Sequence, residues 1–295
     1  MKGPIAWAEV QAAAWFLTPA LTVVLLFLFL PAFAAWILSL TDIDLYTFAE
    51  PTTLRWVGLR NYLALLQDGR FWHALQNTLI FVGLGGLLTL SLALAAALGI
   101  HQRFVRWKAF WRTVYFAPVV TSLVAVAIVW CYILHARYGL ANRVLAGLGL
   151  PPIDWLGDPQ VALPSLILMA VWKNYGYDLL IFLAALQAIP EELYDAARMD
   201  GAGVWQQFRY VTLPALRPMM ALAGLITANG YLQVFAEPYV MTQGGPLGAT
   251  LTLVLLLYEQ GFRWWRLGYA AALAFVLFVL MLGVSWMLWR IQRRP

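Results

Sequence analysis

Six apolar stretches, at residues 17–40, 75–100, 113–134, 161–189, 213–236 and 267–289, are each long enough to cross a hydrocarbon layer about 30 Å thick, which takes about 20 helical residues. None alternates polar with apolar residues, and all exceed the roughly 9–11 residues of a membrane barrel strand. Helices are then the way these segments satisfy their backbone hydrogen bonds in lipid. Composition agrees: 63% of the 295 residues are hydrophobic and 11% charged, where a soluble domain carries about 25% charged residues. Disorder, a coiled coil and an ordinary cytosolic enzyme are excluded together. The expected fold class is an all-α membrane protein with six transmembrane helices. A seventh apolar run, 251–258, is too short to cross and reads as an interfacial or re-entrant piece.

Charge placement orients the expected bundle. Arg103, Arg106, Lys108 and Arg112 lie between the second and third spans with no acid among them, and Arg290, Arg293 and Arg294 follow the sixth. The connection between the first two spans has three basic and four acidic residues. Over alternate connections, one side holds 11 Lys and Arg and the other 7, with Lys173 left inside a span. Positive residues stay cytoplasmic, so both termini are expected there, with 41–74, 135–160 and 237–266 on the outer side. The net charge of +5 comes from short runs that form no continuous patch, so nucleic acid is not an expected partner. Ala32-Phe33-Ala34 resembles a signal-peptidase site. The apolar stretch before it is long, however, and only Lys2, offset by Glu9, precedes it, so an uncleaved anchor is expected. Trp36, Trp130, Trp264, Trp265, Trp286 and Trp289 fall near span ends, as interfacial anchors do.

Motifs for chemistry are missing. The only lysines are Lys2, Lys108 and Lys173, and none follows a glycine as a phosphate-cradling loop requires. His73, His101 and His135 are scattered, with no His-Glu-x-x-His, and there is no Gly-x-Ser-x-Gly. Tyr177-Asp178 has no matching Gly-x-Gly-Asp half of an intramembrane protease. The single cysteine, Cys131, lies in an apolar run and reads as packing. No enzyme, no metal site and no cofactor bound by this chain are expected.

The cytoplasmic stretch 190–218, PEELYDAARMDGAGVWQQFRYVTLPALRP, has the grammar of a helix-turn-helix lying along the membrane. Pro190 suits a helix start, and Glu191 and Glu192 favour its positive dipole end. Gly201 can take the left-handed conformation that ends a helix. The next helix places Val204, Trp205, Phe208, Val211 and Thr212 on one face, which can cover the bundle, and Leu213-Pro214 is expected to turn the chain into the fifth span. Ala196, Ala197 and Gly201 form a low surface beside Asp195 and Asp200. By composition alone this is equally a solvated loop with an amphipathic segment.

The spacing of Asp195-Ala196-Ala197, then Gly201, then Val211-x-Leu213-Pro214 resembles the EAA motif of permease subunits in ATP-binding-cassette importers, with Asp in place of Glu and Val in place of Ile. Val57-Gly58-Leu59-Arg60-Asn61-Tyr62, Phe71-Trp72-x-Ala74-Leu75-x-Asn77-Thr78, Thr242-x-Gly244-Gly245-Pro246 and Gly268-Tyr269-Ala270 are similar to segments of sugar-importer permeases. Trp172-Lys173 and Ala184-Ala185-Leu186-Gln187-x-Ile189-Pro190 are similar to the maltose and glycerol-3-phosphate type.

The resemblance implies a type I importer transmembrane domain with a cytoplasmic coupling helix, in a bacterial or archaeal cytoplasmic membrane. A second, homologous permease subunit would pair with this one. Two ATPase subunits, holding ATP and Mg, would dock beneath, and a soluble or lipid-anchored extracytoplasmic solute-binding protein would deliver a sugar or sugar-like solute. Glu192, Asp195, Ala196, Ala197, Asp200, Gly201, Leu213 and Pro214 are the implied coupling residues. An N-terminal part, 1–71, would precede a core over 72–290 and a tail, 291–295, with 41–71 and 136–159 as outer caps against the binding protein.

Polar residues at membrane depth usually face a cavity or a partner helix. The fourth span carries Asn174, Tyr175 and Tyr177, and the fifth carries Asn229, Tyr231 and Gln233. Asn, Gln and Tyr offer the donors, acceptors and flat faces that sugars need. In the maltose relative these two spans line the sugar site, so these six residues are the candidate pathway. Helix-to-helix bonding is the alternative role. Lys173 and Asp178 lie five apart, on different helix faces, and Lys173 is a candidate attractor for an anionic solute such as a phosphate ester. The rival function is an ion-gradient-driven secondary transporter, for which the chain offers no internal repeat and only Asp178 as a deep carboxylate. A scaffold protein leaves the spacing around Gly201 unexplained.

Overall fold

A computed structural model describes residues 7–50, 54–102 and 104–292. Lys2, Arg103, Arg293 and Arg294 of the charge bias lie outside the described residues.

The described residues are helical nearly throughout. Helices α1 (Trp7–Val24) and α2 (Leu30–Ser39) continue one another through a π-turn at Leu25–Phe29, which widens the ladder just ahead of Pro31. A short α3 (Leu45–Ala49) starts at Asp44, whose carboxylate accepts from the Thr47 hydroxyl and amide; these bonds hold the carboxyl below the ordinary range. Then come α4 (Arg60–Gln67) and α5 (Gly69–Ile80), the latter capped by the Asp68 carboxylate on the Arg70 amide at 2.8 Å. A π-turn carries α5 into α6 (Gly86–His101). Next are α7 (Lys108–Val120), α8 (Leu123–Ile133), α9 (Leu140–Gly147) and α10 (Ala162–Gln187). After α11 (Glu191–Met199), α12 (Val204–Gln207) runs through a π-turn into α13 (Leu213–Leu232). The remaining helices are α14 (Ala236–Met241), α15 (Leu253–Tyr258) and α16 (Leu267–Gln292).

The described residues form two compact units, one within 1–67 and 257–276 and the other within 68–256 and 277–295. In the first, the Asn61 amide donates to the carbonyls of Ser39 and Thr41 at 2.8 Å each, the hydroxyls of Ser39 and Tyr62 meet at 2.7 Å, and the Gly268 amide donates to the Ile43 carbonyl at 2.9 Å. The motif residues Asn61, Tyr62 and Gly268 therefore hold the ends of helices.

In the second unit α10 is the axis, packed on α6, α7 and α13. Lipid is as apolar as leucine, so helix association there depends on close packing and on polar bonds. Ala93, Ala97, Ala170 and Ala223 are wholly buried in this packing, beside Phe81, Phe182, Leu166 and Leu179. Asn77 donates to the carbonyls of Gly248 and Leu251 at 3.0 and 2.9 Å, and Thr78 accepts from the Leu253 amide at 3.0 Å. In the 136–159 segment Asn142 donates to Ala136 and Ile153 and accepts from the Ile153 amide and the Trp155 indole, all within 3.1 Å.

Among the described residues, five continuous helices are long and apolar enough to cross a membrane. The third expected span is instead two helices, α7 and α8, meeting at 95° around Thr121-Ser122. Pro118 weakens the ladder there, and Thr121 and Ser122 are extended. The expected turn at Leu213-Pro214 does not form. Its two residues continue one helix, because the π-turn Phe208–Thr212 just before them absorbs the N–H that Pro214 lacks. In the stretch 237–266 short helices at Ala236–Met241 and Leu253–Tyr258, with a π-turn at Glu259–Arg263, alternate with turns, and Leu253, Leu255 and Leu256 of the short apolar run are buried.

Candidate functional site

Helix α11 stands out from the second unit. Glu191, Glu192, Leu193, Asp195, Ala196, Arg198, Met199 and Asp200 are exposed, while Tyr194 and Ala197 are half-buried. The Tyr194 hydroxyl meets the Thr212 hydroxyl at 2.9 Å. Glu191 and Glu192 occupy the first turn and Arg198 the last, complementing the helix dipole at both ends. The Asp195 carboxylate pairs with the Arg198 guanidinium one turn on, so it is engaged within its own helix.

The helix ends in a Schellman turn. The Gly201 amide donates to the Arg198 carbonyl at 3.0 Å and the Ala202 amide to the Ala197 carbonyl at 2.9 Å. Gly201 has φ +80°, and a Cβ built on it would meet nothing within 4 Å. Its requirement here is conformational, and the low surface it shares with Ala196 faces away from the rest of the chain.

From Val204 the chain rises as one rod through α12 and α13, 29 residues or roughly 43 Å at about 1.5 Å per residue. The apolar face expected to cover the bundle divides. Phe208 and Val211 are half-buried and Thr212 buried, but Val204 and Trp205 stay 86% and 71% exposed. Leu213 and Pro214 are half-buried along the rod.

The six candidate pathway residues do not share one surface. Tyr231, 4% exposed, is core: its hydroxyl meets that of Thr89 at 2.8 Å and its ring stands edge-on to Phe81, while Asn174 is half-buried. Tyr175 is half-buried with its ring edge-on to Tyr115. On the other face of α13, Gln233 is exposed and its amide donates to the Asn229 carbonyl at 3.2 Å, while the Asn229 amide reaches Leu225 and Ser285 at 2.8 and 3.3 Å. Tyr177 is 44% exposed.

Lys173 and Asp178 take separate partners. Asp178, 2% exposed, accepts from the Thr227 hydroxyl at 2.7 Å. Lys173, 6% exposed, donates to the carbonyls of Pro118, Val119 and Thr121 at 3.1, 3.3 and 3.1 Å. All three lie at the end of α7. Lys173 is therefore not presented to an anionic solute. Glu237, in the first turn of α14, is also buried. Glu237 and the Tyr194–Thr212 pair were not among the expected site residues; a lone acid flanking an apolar run was the available signal for the first. Among the described residues no three His, Cys, Asp or Glu side chains come together as a metal ion would need.

Residues 87–295 match the family of the binding-protein-dependent transport system inner membrane component. The chain is 38% identical to a probable ABC transporter permease protein, YurN, of Bacillus subtilis, over 92% of each chain. It is 35% identical to the lactose transport system permease protein LacF of Rhizobium radiobacter, over 91% of this chain and 89% of that one. Its fold is similar to a chain of a bacterial ABC transporter involved in the import of the acidic polysaccharide alginate, with a TM-score of 0.78 and 26% identity over 98% of each.

Proposed function

Since the chain belongs to the family of inner-membrane components of binding-protein-dependent transport systems, we propose that it forms half of a pathway for a sugar or oligosaccharide, driven through α11 by a separate ATPase. The carrying observation is the shape of α11: a short, exposed, dipole-matched helix on a rigid rod whose far end bears Asn229 and Gln233. A partner ATPase that moves α11 would tilt that rod, and a rod about 43 Å long carries a small displacement across a membrane about 30 Å thick.

A second permease subunit would close the pathway from the other side, two ATPase subunits bearing ATP and Mg would sit beneath, and a solute-binding protein would load the outer face. Both termini and α11 would then be cytoplasmic, which agrees with the excess of Lys and Arg on that side. A sugar class for the solute is supported by the lactose relative and the alginate importer. Hydrolysis of ATP would belong to the partner, since this chain has no phosphate-cradling loop.

The test is to purify the complex through this subunit, reconstitute it in vesicles with the binding protein, and measure which solutes stimulate ATP hydrolysis and uptake. Stimulation by a sugar or oligosaccharide is expected. Concentrative uptake by this polypeptide alone, driven by an ion gradient, would overturn the reading.

A further inference from the structure

The sequence marks Lys173 as a charge inside a span, and the structure gives that charge an occupation. α7 ends at Val120, and α8 leaves at 95° to it. In an unbroken helix the carbonyls of Pro118, Val119 and Thr121 would accept from the amides of residues 122, 123 and 125, four positions on. The break removes those donors; the Pro118 carbonyl still accepts from the Thr121 amide and hydroxyl at 3.3 and 2.6 Å, and a carbonyl without a donor is costly in lipid. An ammonium has three N–H donors and no acceptor. Those of Lys173 go to these three carbonyls.

The neighbourhood is built to deliver it. Gly176, one turn along α10, lets the two backbones touch: a Cβ there would stand 2.0 Å from the Tyr115 carbonyl oxygen. Glu237, a buried acid, lies in the first turn of α14, the helix against which α8 packs. Straightening α7 and α8 into one span would restore the helical amides to the carbonyls and leave the ammonium buried without acceptors.

We propose that Lys173 is a positioning residue of the pathway: its ammonium replaces the backbone hydrogen bonds lost at Thr121-Ser122 and so holds α7 and α8 in their bent arrangement. It acts on helix geometry and not on the charge of the solute.

The test places spin labels at Phe110→Cys and Tyr132→Cys, both exposed and on opposite sides of the break, in a Cys131→Ser background within the complete transporter. A straight helix would separate the two positions by roughly 33 Å, whereas the 95° bend brings them to roughly 22 Å. With Lys173 present the short distance dominates. K173M and K173Q are expected to raise the long-distance fraction at least about tenfold and to lower uptake by a similar factor, while K173R, which can still donate to the carbonyls, keeps the short distance. If K173M does not assemble, K173M/E237Q, which removes both buried charges, is measured instead. An unchanged distance in K173M, a K173R that behaves like K173M, or failure of the double variant to assemble overturns the proposal. The distance does not depend on transport, so uptake by the native complex separates a wrong bend from a wrong reading of the function.

Discussion

The hydroxyls of Tyr194 and Thr212, 2.9 Å apart, join the exposed helix α11 to the rod that carries Asn229 and Gln233. α11 meets the rod through this bond and through the turn at Gly201, and its other end joins α10, which packs on α13. Tyr194→Phe keeps the ring and removes the bond, whose net worth is about 1 kcal/mol. Uptake is expected to fall about fivefold, with assembly and ATP hydrolysis retained. Thr212→Val should do the same, and the double variant should be no worse than either single one, as a double-mutant cycle on a shared bond requires. Additive losses would show that the two side chains act separately.

Gly201 separates backbone strain from surface fit. A non-glycine residue in the left-handed region costs about 1–2 kcal/mol, and asparagine tolerates it best. Gly201→Asn should therefore leave α11 folded, whereas Gly201→Val should unravel its last turn. Because a Cβ built at this position meets nothing within 4 Å in this chain, uptake lost in the Asn variant reports the partner's contact. Cross-linking of α11 to the ATPase in both variants measures the difference.

Asn77 is a candidate for the reverse outcome, a polar residue whose loss undoes the fold. Its amide nitrogen donates to two carbonyls, Gly248 and Leu251. Asn77→Asp preserves the shape and replaces the donor with an acceptor, which faces two carbonyl oxygens. Each buried acceptor left unsatisfied costs about 1–3 kcal/mol. The variant is expected to unfold at lower temperature in detergent and to reach the membrane in reduced amount, with Asn77→Ala milder than Asp.

Asn77 also marks the boundary of what could be read in advance. Its motif was visible, but its partners lie more than 170 residues away, and local spacing carries no such information. The membrane helices were legible because an apolar run long enough to cross is a local property. The end of α11 was legible for the same reason, since Glu191, Glu192 and Gly201 signal start and stop within a few residues. The break at Thr121-Ser122 was not: Pro118 and Thr121-Ser122 sit in a run otherwise apolar enough to read as one span, and what stabilises the break, Lys173, is 52 residues on from Thr121. The long rod through Leu213-Pro214 was missed because a proline reads as a turn unless a π-turn before it takes up the missing donor.

Tyr231 and Gln233, both expected to line the pathway, are two residues apart on a helix, about 200° around it at 3.6 residues per turn. They cannot share a surface, and the structure buries the first while exposing the second. Tyr231→Phe removes the partner of the buried Thr89 hydroxyl and should cost about 1–3 kcal/mol of stability, read as a lower unfolding temperature, with the solute dependence of ATP hydrolysis unchanged. Gln233→Ala loses a surface amide whose bond to the Asn229 carbonyl is part of its own helix. Its unfolding temperature should stay within about 1 °C of the native value, as for a surface change of less than about 0.5 kcal/mol. If Gln233 meets the solute, a site that has lost one hydrogen-bonding group discriminates poorly against analogues lacking a hydroxyl, so solute-stimulated hydrolysis falls and selectivity among sugars relaxes. A Gln233→Ala complex with native selectivity and native stimulation would remove this residue from the pathway and leave Asn229, Asn174 and Tyr177 as the remaining polar candidates.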